Sequence, residues 1–404
     1  MQLNNILNFI NSNHPKNISS ACGHTLLLKD GRKLFDFSLG SGTHVLGHSE
    51  PGYIQVLTEQ LRKGLLYPPS EELLHRVTEK LVNLLPTDLD TFIFCNSGTE
   101  ATQRAIRYAR AASQKEVVVH FEGAWHGMNE WTLSGDGGRF GGSWSDRPSG
   151  LPNCLQLGSE RLKWNSYDSL LLIRDRSEKI GAVVVEPLMA SAPSSFSQEY
   201  LKQLRTLCTE KDIPLIFDET ITGFRVSTGG VSSLINIQPD IATYGKILGG
   251  GLPVGLVALS KKITQETFLD INKNMLTGGT FSGNPLVLEA CNYILSQLAT
   301  KDYRHLSKAA SDFRESLNSK LKSQNLQAYI DGAFSISRLI LEDQPTEKNK
   351  LKFVNRIIQE SYIHNGGYLA QNRLIFNNFY MSSIDYLNME SITIKAMADA
   401  RLHI

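Results

Sequence analysis

One lysine of this sequence has the surroundings expected of a buried amine. Lys246 lies in the run Tyr244-Gly245-Lys246-Ile247-Leu248-Gly249-Gly250-Gly251, where the neighbouring residues are small or apolar. A lysine removed from water loses proton affinity, so its amine becomes a base and a nucleophile that forms a Schiff base with an aldehyde. Most lysines are solvated instead, but glycines on both sides favour a tight site where the backbone approaches a ligand. We therefore predict that Lys246 is a Schiff-base lysine.

Two adjacent acids end a run that reads as a buried strand. Leu215-Ile216-Phe217 is followed by Asp218, Glu219 and Thr220. A carboxylate in that position needs a cation or strong hydrogen-bond donors to offset its desolvation. A protonated pyridine nitrogen would be such a partner, and a pyridoxal ring requires one acid there to act as an electron sink. The common alternative is a strand-end Asp that caps a turn or a helix.

A phosphate site is indicated by Asn96-Ser97-Gly98-Thr99-Glu100-Ala101, which follows a predicted strand and opens a helix running to about Ser113. Free backbone N–H groups and the positive end of the helix dipole would meet at Gly98 and Thr99. The alternative is an ordinary helix cap formed by Ser97 or Thr99, because such short motifs also occur without a ligand.

Two further segments could contact a cofactor. Trp125-His126-Gly127 follows a predicted strand and offers a flat ring for stacking, although such aromatics usually pack in a core. Gly279-Thr280-Phe281-Ser282-Gly283-Asn284-Pro285 precedes a helix and could contact phosphate or form only a turn with a cap. Together with Lys246 and Asp218, these segments supply what pyridoxal 5′-phosphate (PLP) requires: a phosphate cradle, a stacking ring, a ring-nitrogen carboxylate and a Schiff-base lysine.

An α/β core must position these residues. Short apolar runs alternate with helical patterns between about residues 90 and 260, and the runs are continuous rather than alternating. This pattern predicts a mainly parallel sheet that is covered on both faces. Ligands bind beyond the carboxyl ends of such strands, where Glu186 and Asp218 stand. The predicted strands are 92–95, 117–121, 182–185, 215–217 and 254–259.

Helical patterns dominate after Pro285. They predict a second, smaller C-terminal domain. At the other end of the chain, residues 1–45 read as an arm with a hairpin-like element whose turn is Lys29-Asp30-Gly31-Arg32. The predicted C-terminal helices are about 285–298, 301–323, 347–364 and 388–402.

Composition excludes several classes of protein. The 404 residues carry 41 Lys and Arg against 40 Asp and Glu, so we expect a small-molecule partner and neither nucleic acid nor a membrane surface. No run approaches 18 uncharged apolar residues, and the N-terminus lacks a signal-peptide pattern. A reducing cytoplasm without a disulfide framework or a metal site is predicted from five scattered cysteines, Cys22, Cys95, Cys154, Cys208 and Cys291.

The order and the amino-acid sequences of these segments resemble those of the class III (ω-type) PLP-dependent aminotransferases, and most closely those of the glutamate-1-semialdehyde 2,1-aminomutase branch. The resemblance implies PLP fold type I (aspartate aminotransferase-like): a mostly parallel seven-stranded sheet in a large domain, a smaller α/β domain and an obligate homodimer. The implied division is an N-terminal segment, 1–45, that joins the small domain, a large PLP-binding domain, 46–285, and a C-terminal small domain, 286–404. The matching segments are 96–101, 125–127, 185–187, 218–225, 245–255 and 279–285.

The resemblance also implies a role for each matched residue. Lys246 would bind the cofactor covalently, and Asp218 would hold its pyridine nitrogen; these two are the predicted catalytic residues. Trp125 would stack where the family usually has Tyr, and Thr280 would reach the phosphate of the partner subunit. The complete predicted cofactor site is Ser97, Gly98, Thr99, Trp125, His126, Glu186, Asp218, Thr220, Lys246 and Thr280.

Departures from the mutase pattern fall where the substrate would bind. The mutase branch holds a substrate carboxylate with an Arg near its N-terminus, whereas the first arginine here is Arg32, in a predicted turn. The mutase's Gly-Asn pair after Val185-Glu186-Pro187 is replaced by Ala190-Ser191, and its late active-site Glu by Asn377 or Asn378. An amide or a hydroxyl does not replace a bidentate Arg–carboxylate pair. We therefore expect a different substrate.

The predicted function is PLP-dependent transfer of an amino group from an amino-acid donor to a carbonyl acceptor, such as an aldehyde, a keto sugar or a biosynthetic intermediate. The alternatives are a mutase-type intramolecular transfer, a PLP-dependent racemase or decarboxylase, and a non-catalytic dimer. The glycine-rich segment 135–142 matches a mobile loop over the mutase's active site. Four arginines are left open as carboxylate contacts: Arg139, Arg147, Arg225 and Arg373.

Overall fold

The computed structural model of the protein describes residues 15, 17–133, 150–270 and 273–401. These residues form fourteen strands and a set of helices. The strands in chain order are β1 Ile18–Cys22, β2 Thr25–Leu28, β3 Lys33–Asp36, β4 Leu89–Cys95, β5 Val117–Phe121, β6 Ser159–Leu162, β7 Ile180–Val185, β8 Leu215–Asp218, β9 Ile241–Gly245, β10 Gly255–Ser260, β11 Ala328–Ala333, β12 Ile336–Leu341, β13 Gly367–Tyr368 and β14 Leu374–Phe376.

The helices lie mainly between strands of the central sheet and after residue 284. They are Leu39–Gly42, Pro51–Lys63, Glu71–Leu84, Gly98–Ser113, Leu155–Gly158, Tyr167–Asp175, Gln198–Glu210, Val231–Ile235, Lys261–Thr267, Pro285–Leu298, Tyr303–Ser323, Lys348–His364 and Ser383–Arg401, with short 3₁₀ turns at Glu130–Thr132, Pro193–Ser195 and Lys246–Gly249. The four helices predicted in the C-terminal part are confirmed, and the last begins five residues earlier, at Ser383 rather than 388.

The central sheet has seven strands in the order β4-β10-β9-β8-β7-β5-β6. β10 is antiparallel to both of its neighbours, whereas the pairings among β5 to β9 are all parallel. The predicted α/β class with a mostly parallel seven-stranded sheet is therefore confirmed. Every residue of β7 is buried, as expected for a parallel strand covered on both faces.

The strands that the sequence pattern predicts are present, and two more lie among them. β9 reads Ile-Ala-Thr-Tyr-Gly, in which small and polar residues interrupt the apolar run, yet all five residues are buried. β6 reads Ser-Glu-Arg-Leu and lies at the edge of the sheet, where polar residues are tolerated. Neither has the continuous apolar composition that marks the other strands.

Helix Gly98–Ser113 covers one face of this sheet. Its buried residues include Ala101, Ala105 and Ala109, whose small side chains allow the helix to approach the strands closely. They pack with residues of several strands, including Val184 and Ile216. The N-terminus of the helix is thereby fixed beside the strand ends.

Residue contacts divide the chain into two compact units, Pro51–Tyr303 and Met1–Glu50 with Arg304–Ile404. Helix Pro285–Leu298 lies in the first unit, where Glu289 accepts a hydrogen bond of 2.9 Å from Arg76. The boundaries predicted from the sequence, 45/46 and 285/286, therefore fall earlier than those of the contact-defined units.

The unit formed by both chain ends contains two small sheets, β1-β2-β3-β13 and β11-β12-β14. β13 pairs with β3 in parallel, so N-terminal and C-terminal segments share one sheet. The predicted turn joins β2 to β3, with Arg32 paired to Asp30 in solvent at 2.9 Å. The core of this unit includes Phe37, Leu317 and Ile358.

Candidate functional site

Five strands of the central sheet carry the predicted site residues at their carboxyl ends. β10 is antiparallel to both β4 and β9, so β4 and β9 run in the same direction as each other and as β5, β7 and β8. The segments that leave these strands therefore emerge at one edge of the sheet, the edge at which α/β proteins bind ligands. They carry Ser97 to Thr99, Trp125 and His126, Glu186, Asp218, and Lys246.

The Asp218 carboxylate at this edge is held by four hydrogen bonds. Its Oδ1 accepts hydrogen bonds from the hydroxyls of Thr220 and Thr243, at 2.6 and 2.9 Å, and from the Thr220 N–H at 3.1 Å. Its Oδ2 lies 2.8 Å from Nδ1 of His126. Because an ionised carboxylate only accepts, Nδ1 is the protonated ring nitrogen of this pair.

The charge of Asp218 is stabilised despite its burial. Desolvation would raise the pKa of this carboxyl, but the hydrogen bond and charge of His126, together with the bonds from Thr220 and Thr243, hold the pKa below its usual value. Asp218 is therefore an anion across the neutral range, suited to hold a cationic ring nitrogen.

The neighbouring Glu219 faces a different partner. Its Oε2 and Oε1 accept hydrogen bonds from the N–H groups of Val231 and Ser232, at 2.9 and 2.8 Å, and the Thr222 hydroxyl also donates to it. It thus binds the first N–H groups of helix Val231–Ile235, a favourable place for a carboxylate. Of these two adjacent acids, Asp218 faces the site and Glu219 supports the fold.

The start of helix Gly98–Ser113 has free donors. The Ser97 side chain accepts from the Glu100 N–H at 3.1 Å, and the Glu100 carboxylate accepts from the Asn96 N–H at 2.8 Å. These bonds resemble a capping box and leave the N–H groups of Gly98 and Thr99 without an acceptor in the described part of the chain. The predicted cap is therefore present, and two backbone donors remain at this helix end that could bind an anion.

Glycines bring the backbones of this region into contact. A Cβ atom at Gly245 would lie 3.4 Å from Cγ2 of Thr220 and 3.9 Å from Cα of Gly98. A Cβ at Gly98 would be 3.0 Å from the same Thr220 methyl, and one at Gly255 would be 2.2 Å from the carbonyl oxygen of Ser97. The lysine segment and the anion cradle therefore touch.

Lys246 begins a 3₁₀ turn directly after β9, with a left-handed backbone at a φ of 43°. This conformation is uncommon for a residue with a Cβ, and such strain concentrates at functional sites. The lysine side chain is half-buried, and its charge partly opposes the rise that burial causes in the pKa of Glu186.

Glu186 binds the turn that carries Trp125. Its Oε2 accepts a hydrogen bond of 2.8 Å from the Trp125 N–H, and Ser191 donates to the carbonyl of Gly123 in the same turn at 2.6 Å. Burial, opposed by the charge of His126 and reinforced by that of Asp218, raises the pKa of Glu186 to about 7. Glu186 is thus placed to position the Trp125 backbone.

Two threonines absent from the sequence-based prediction complete the support. Thr243 is the residue of β9 paired with Asp218 of β8, and Thr102 donates to the His126 carbonyl at 2.8 Å. A search for polar residues on the strand neighbouring Asp218 would have found Thr243, which precedes Lys246 by only three positions. Thr102 gives no such signal, because its partner lies in a distant loop.

The other predicted residues of this unit differ in their exposure. Thr280 is exposed on the segment before helix Pro285–Leu298. Arg225 is fully buried, which lowers its pKa to about 9. Segment 135–142, with Arg139, and Arg147 lie outside the described residues.

The remaining substrate-side candidates belong to the unit formed by the chain ends. Asn377 and Asn378 are buried, and Asn378 accepts from the Tyr380 N–H at 2.9 Å. Arg373 is fully buried; its guanidinium donates to Gln344, and its Nε and Nη1 have no partner among the described residues.

The site of the Pro51–Tyr303 unit fits PLP by the chemistry of its groups. Two free N–H groups at a helix N-terminus suit a phosphate, an ionised buried carboxylate suits a protonated ring nitrogen, and a half-buried lysine suits an aldehyde. The fold and this set of groups define an enzyme that forms a Schiff base with a phosphorylated cofactor.

Comparisons with known proteins place the chain in one family. The class III aminotransferase family model matches residues 9–336, so the chain belongs to the class III aminotransferases, which are PLP enzymes. The glutamate-1-semialdehyde 2,1-aminomutase of Methanosphaera stadtmanae is 34% identical over 328 residues, covering 81% of this chain and 76% of that protein. The predicted family, cofactor and enzyme class, a transaminase or a closely related aminomutase, are confirmed.

Solved structures share the fold. An omega-transaminase from Sphaerobacter thermophilus has a TM-score of 0.85 at 24% identity, covering 95% of this chain and 91% of that one. A glutamate-1-semialdehyde aminomutase from Pseudomonas aeruginosa PAO1 has a TM-score of 0.81 at 20% identity, covering 95% and 88%. Among the described residues, no helix combines the length and the apolar character needed to cross a bilayer.

Proposed function

We propose that this protein is an aminotransferase that moves an amino group from an amino-acid donor to a carbonyl acceptor, such as an aldehyde, a keto sugar or a biosynthetic intermediate. The observation that carries the proposal is the meeting of Lys246, ionised Asp218 and the Gly98–Thr99 cradle at one sheet edge. Curated relatives at 31–36% identity are named glutamate-1-semialdehyde 2,1-aminomutase, so intramolecular amino transfer is the second candidate.

Each side chain has a separate part in this proposal. Asp218 holds the protonated ring nitrogen, and His126, Thr220 and Thr243 orient and stabilise its charge. When bound, PLP withdraws electrons from the substrate's Cα, which acidifies the C–H bond there. The Lys246 amine would hold the cofactor's aldehyde and, as a free amine, would act as the base toward the proton on the substrate's Cα.

The remaining predicted residues hold and orient the cofactor. Gly98 and Thr99 donate their N–H groups to its phosphate, and Ser97 fixes the turn by capping the helix. Trp125 would supply an aromatic ring for stacking on the cofactor, and its backbone is anchored by Glu186.

An acceptor without an α-carboxylate in the usual place is supported by three contacts. Ser191 is bound to the Gly123 carbonyl, Asn378 to the Tyr380 N–H, and Arg32 to Asp30 in solvent. Ser191 and Asn378 are uncharged, and Arg32 lies in solvent against Asp30, so none of these three residues supplies the carboxylate-binding cation of the mutase branch. We therefore favour intermolecular transfer to a carbonyl over the mutase reaction.

We further propose a homodimer in which Thr280 reaches the phosphate of the partner subunit. Leu276 and Phe281, on either side of Thr280, are 68% and 63% exposed in the single chain. Large exposed apolar side chains beside a polar loop are typical of a surface that a second subunit covers. The cytoplasm is the proposed compartment, in agreement with five cysteines that are all free thiols.

Single-turnover product analysis tests the proposal. PLP-loaded protein is mixed with each of a panel of amino donors without any acceptor, and keto product is quantified by mass spectrometry, with Lys246→Ala as the control. An aminotransferase forms up to one equivalent of keto product per site and then stops until a carbonyl acceptor is added. Catalytic conversion of glutamate-1-semialdehyde without an acceptor would identify a mutase. Racemised or decarboxylated donor would identify those reactions instead.

A further inference from the structure

Arg104 joins three segments around the cofactor cradle. Its side chain is nearly buried, although arginine side chains are usually exposed to solvent. Its Nη2 donates to the Glu100 carboxylate and to the Gly278 carbonyl, and its Nη1 donates to the Phe94 carbonyl at 3.4 Å. One guanidinium therefore ties the end of β4, the first turns of helix Gly98–Ser113 and the segment that carries Thr280.

A second connection lies on the far side of Thr280. The Glu100 Oε2 accepts from the N–H and the side-chain amide of Asn96, at 2.8 and 3.2 Å. The same amide donates to the Ser282 hydroxyl at 3.4 Å. The segment is thus attached to the cradle helix at Gly278 through Arg104 and at Ser282 through Asn96.

Between these two attachments the segment faces outward. Thr280 and Phe281 are exposed, whereas a Cβ atom at Gly279 would lie 3.5 Å from Nη2 of Arg104. The guanidinium therefore supports the backbone directly beneath Thr280. A loop fixed in its binding conformation binds more tightly because less entropy is lost on binding.

We infer that Arg104 is a positioning residue that fixes the 278–282 segment so that Thr280 reaches the partner subunit's cofactor phosphate. The inference rests on the proposed cross-subunit role of Thr280. It adds that the cofactor affinity of one subunit depends on the Arg104 of the other. Charge-assisted bonds of this kind are lost when the fork of Arg is replaced by the single ammonium of Lys, which cannot bridge all three partners.

Mixed dimers test the inference. One subunit carries Lys246→Ala, so only its partner binds PLP covalently, and two different affinity tags isolate the mixed species. Arg104→Lys is placed either in the Lys246→Ala subunit or in the competent one, and the PLP dissociation constant of the competent site is measured from its visible absorption. Thr280→Val serves as the positive control, and Arg110→Lys as the matched control on the same helix without a contact to the segment.

We expect Arg104→Lys to weaken PLP binding at the competent site about 10-fold or more when the substitution is in the Lys246→Ala subunit, as Thr280→Val does from there. The loss should be several-fold smaller when Arg104→Lys is in the competent subunit itself. Ser282→Ala, which removes the second attachment, should give a smaller loss with the same asymmetry. A residue with a merely structural role would act alike in both positions. Equal losses in both positions, or a loss no larger than that of Arg110→Lys, would overturn the inference.

The controls separate this inference from the proposed function. A loss with Thr280→Val but none with Arg104→Lys leaves the proposed function standing and overturns the role of Arg104. No loss with Thr280→Val overturns the cross-subunit contact and the inference with it. Absence of covalent PLP in the wild-type dimer overturns the proposed function itself.

Discussion

Nδ1 of His126 lies 2.8 Å from Oδ2 of Asp218, and both side chains are buried. His126→Phe removes this donor and leaves one carboxylate oxygen without its partner. We expect single-turnover keto-product formation to slow about 10- to 100-fold, since a hydrogen bond to a buried charge contributes about 1.5–3 kcal/mol. PLP should still be bound through Lys246. His126→Asn, whose amide can donate, is the matched variant, and an unchanged rate in His126→Phe would contradict this role.

The two neighbouring acids should separate stability from activity. In Glu219→Gln, one N–H group of helix Val231–Ile235 faces the side-chain NH2 group, which cannot accept a hydrogen bond. We therefore expect the unfolding free energy to fall by about 2–3 kcal/mol while the reaction is retained. Asp218→Asn should do the reverse, with turnover reduced at least about 100-fold at similar stability. Urea denaturation and single-turnover rates measure the two quantities. Loss of activity in folded Glu219→Gln would show that the roles are misassigned.

Glu186 predicts a pH-dependent stability for the cofactor-free protein. Burial raises the pKa of this carboxyl from 4.5 to about 7, so the folded protein holds the proton more tightly than the unfolded chain. Stability from this group is therefore complete below about pH 4.5 and falls as the pH rises to about 7, by about 3 kcal/mol. Glu186→Gln, which can still accept from the Trp125 N–H, should lack this decline. Parallel pH profiles of the two proteins in urea denaturation would exclude the shift.

Gly255 should not tolerate a side chain. A Cβ atom there would lie 2.2 Å from the Ser97 carbonyl oxygen and 2.7 Å from the Cys95 sulfur. Since the carbonyl belongs to the helix cap, the backbone of the anion cradle must move. We expect Gly255→Ala to lower the unfolding free energy by about 1–3 kcal/mol and PLP affinity at least 10-fold. Wild-type PLP affinity in titrations of Gly255→Ala would show that the cradle does not bind the phosphate.

The sequence predicts most of the sheet because its strands are apolar runs separated by helices. Residues 117–121 form β5 with the predicted bounds, whereas the sequence of β9 does not indicate a separate strand because Ala242, Thr243 and Gly245 interrupt its apolar character. The two acids after β8 are a similar case. Nothing in their own segment indicates that Glu219 meets helix Val231–Ile235, since that contact depends on how the chain returns to the strand.

The site could be predicted as a set of groups but not as a network. Motif order gives Lys246, Asp218 and the cradle, because each occupies a short segment with its own composition. The bonds from Thr243 and Thr102 and the attachments of Arg104 join residues far apart in sequence. Such partners follow only from strand order and register, which the amino-acid pattern does not specify.

Covalent attachment of the cofactor tests the central claim most directly. PLP-loaded protein is reduced with borohydride and digested, and the modified peptide is identified by mass spectrometry, with Lys246→Ala treated in parallel. We predict one reduced pyridoxyl group per chain on Lys246 and none on the variant. A label on another lysine, or no covalent label in the wild type, would contradict the assignment of Lys246.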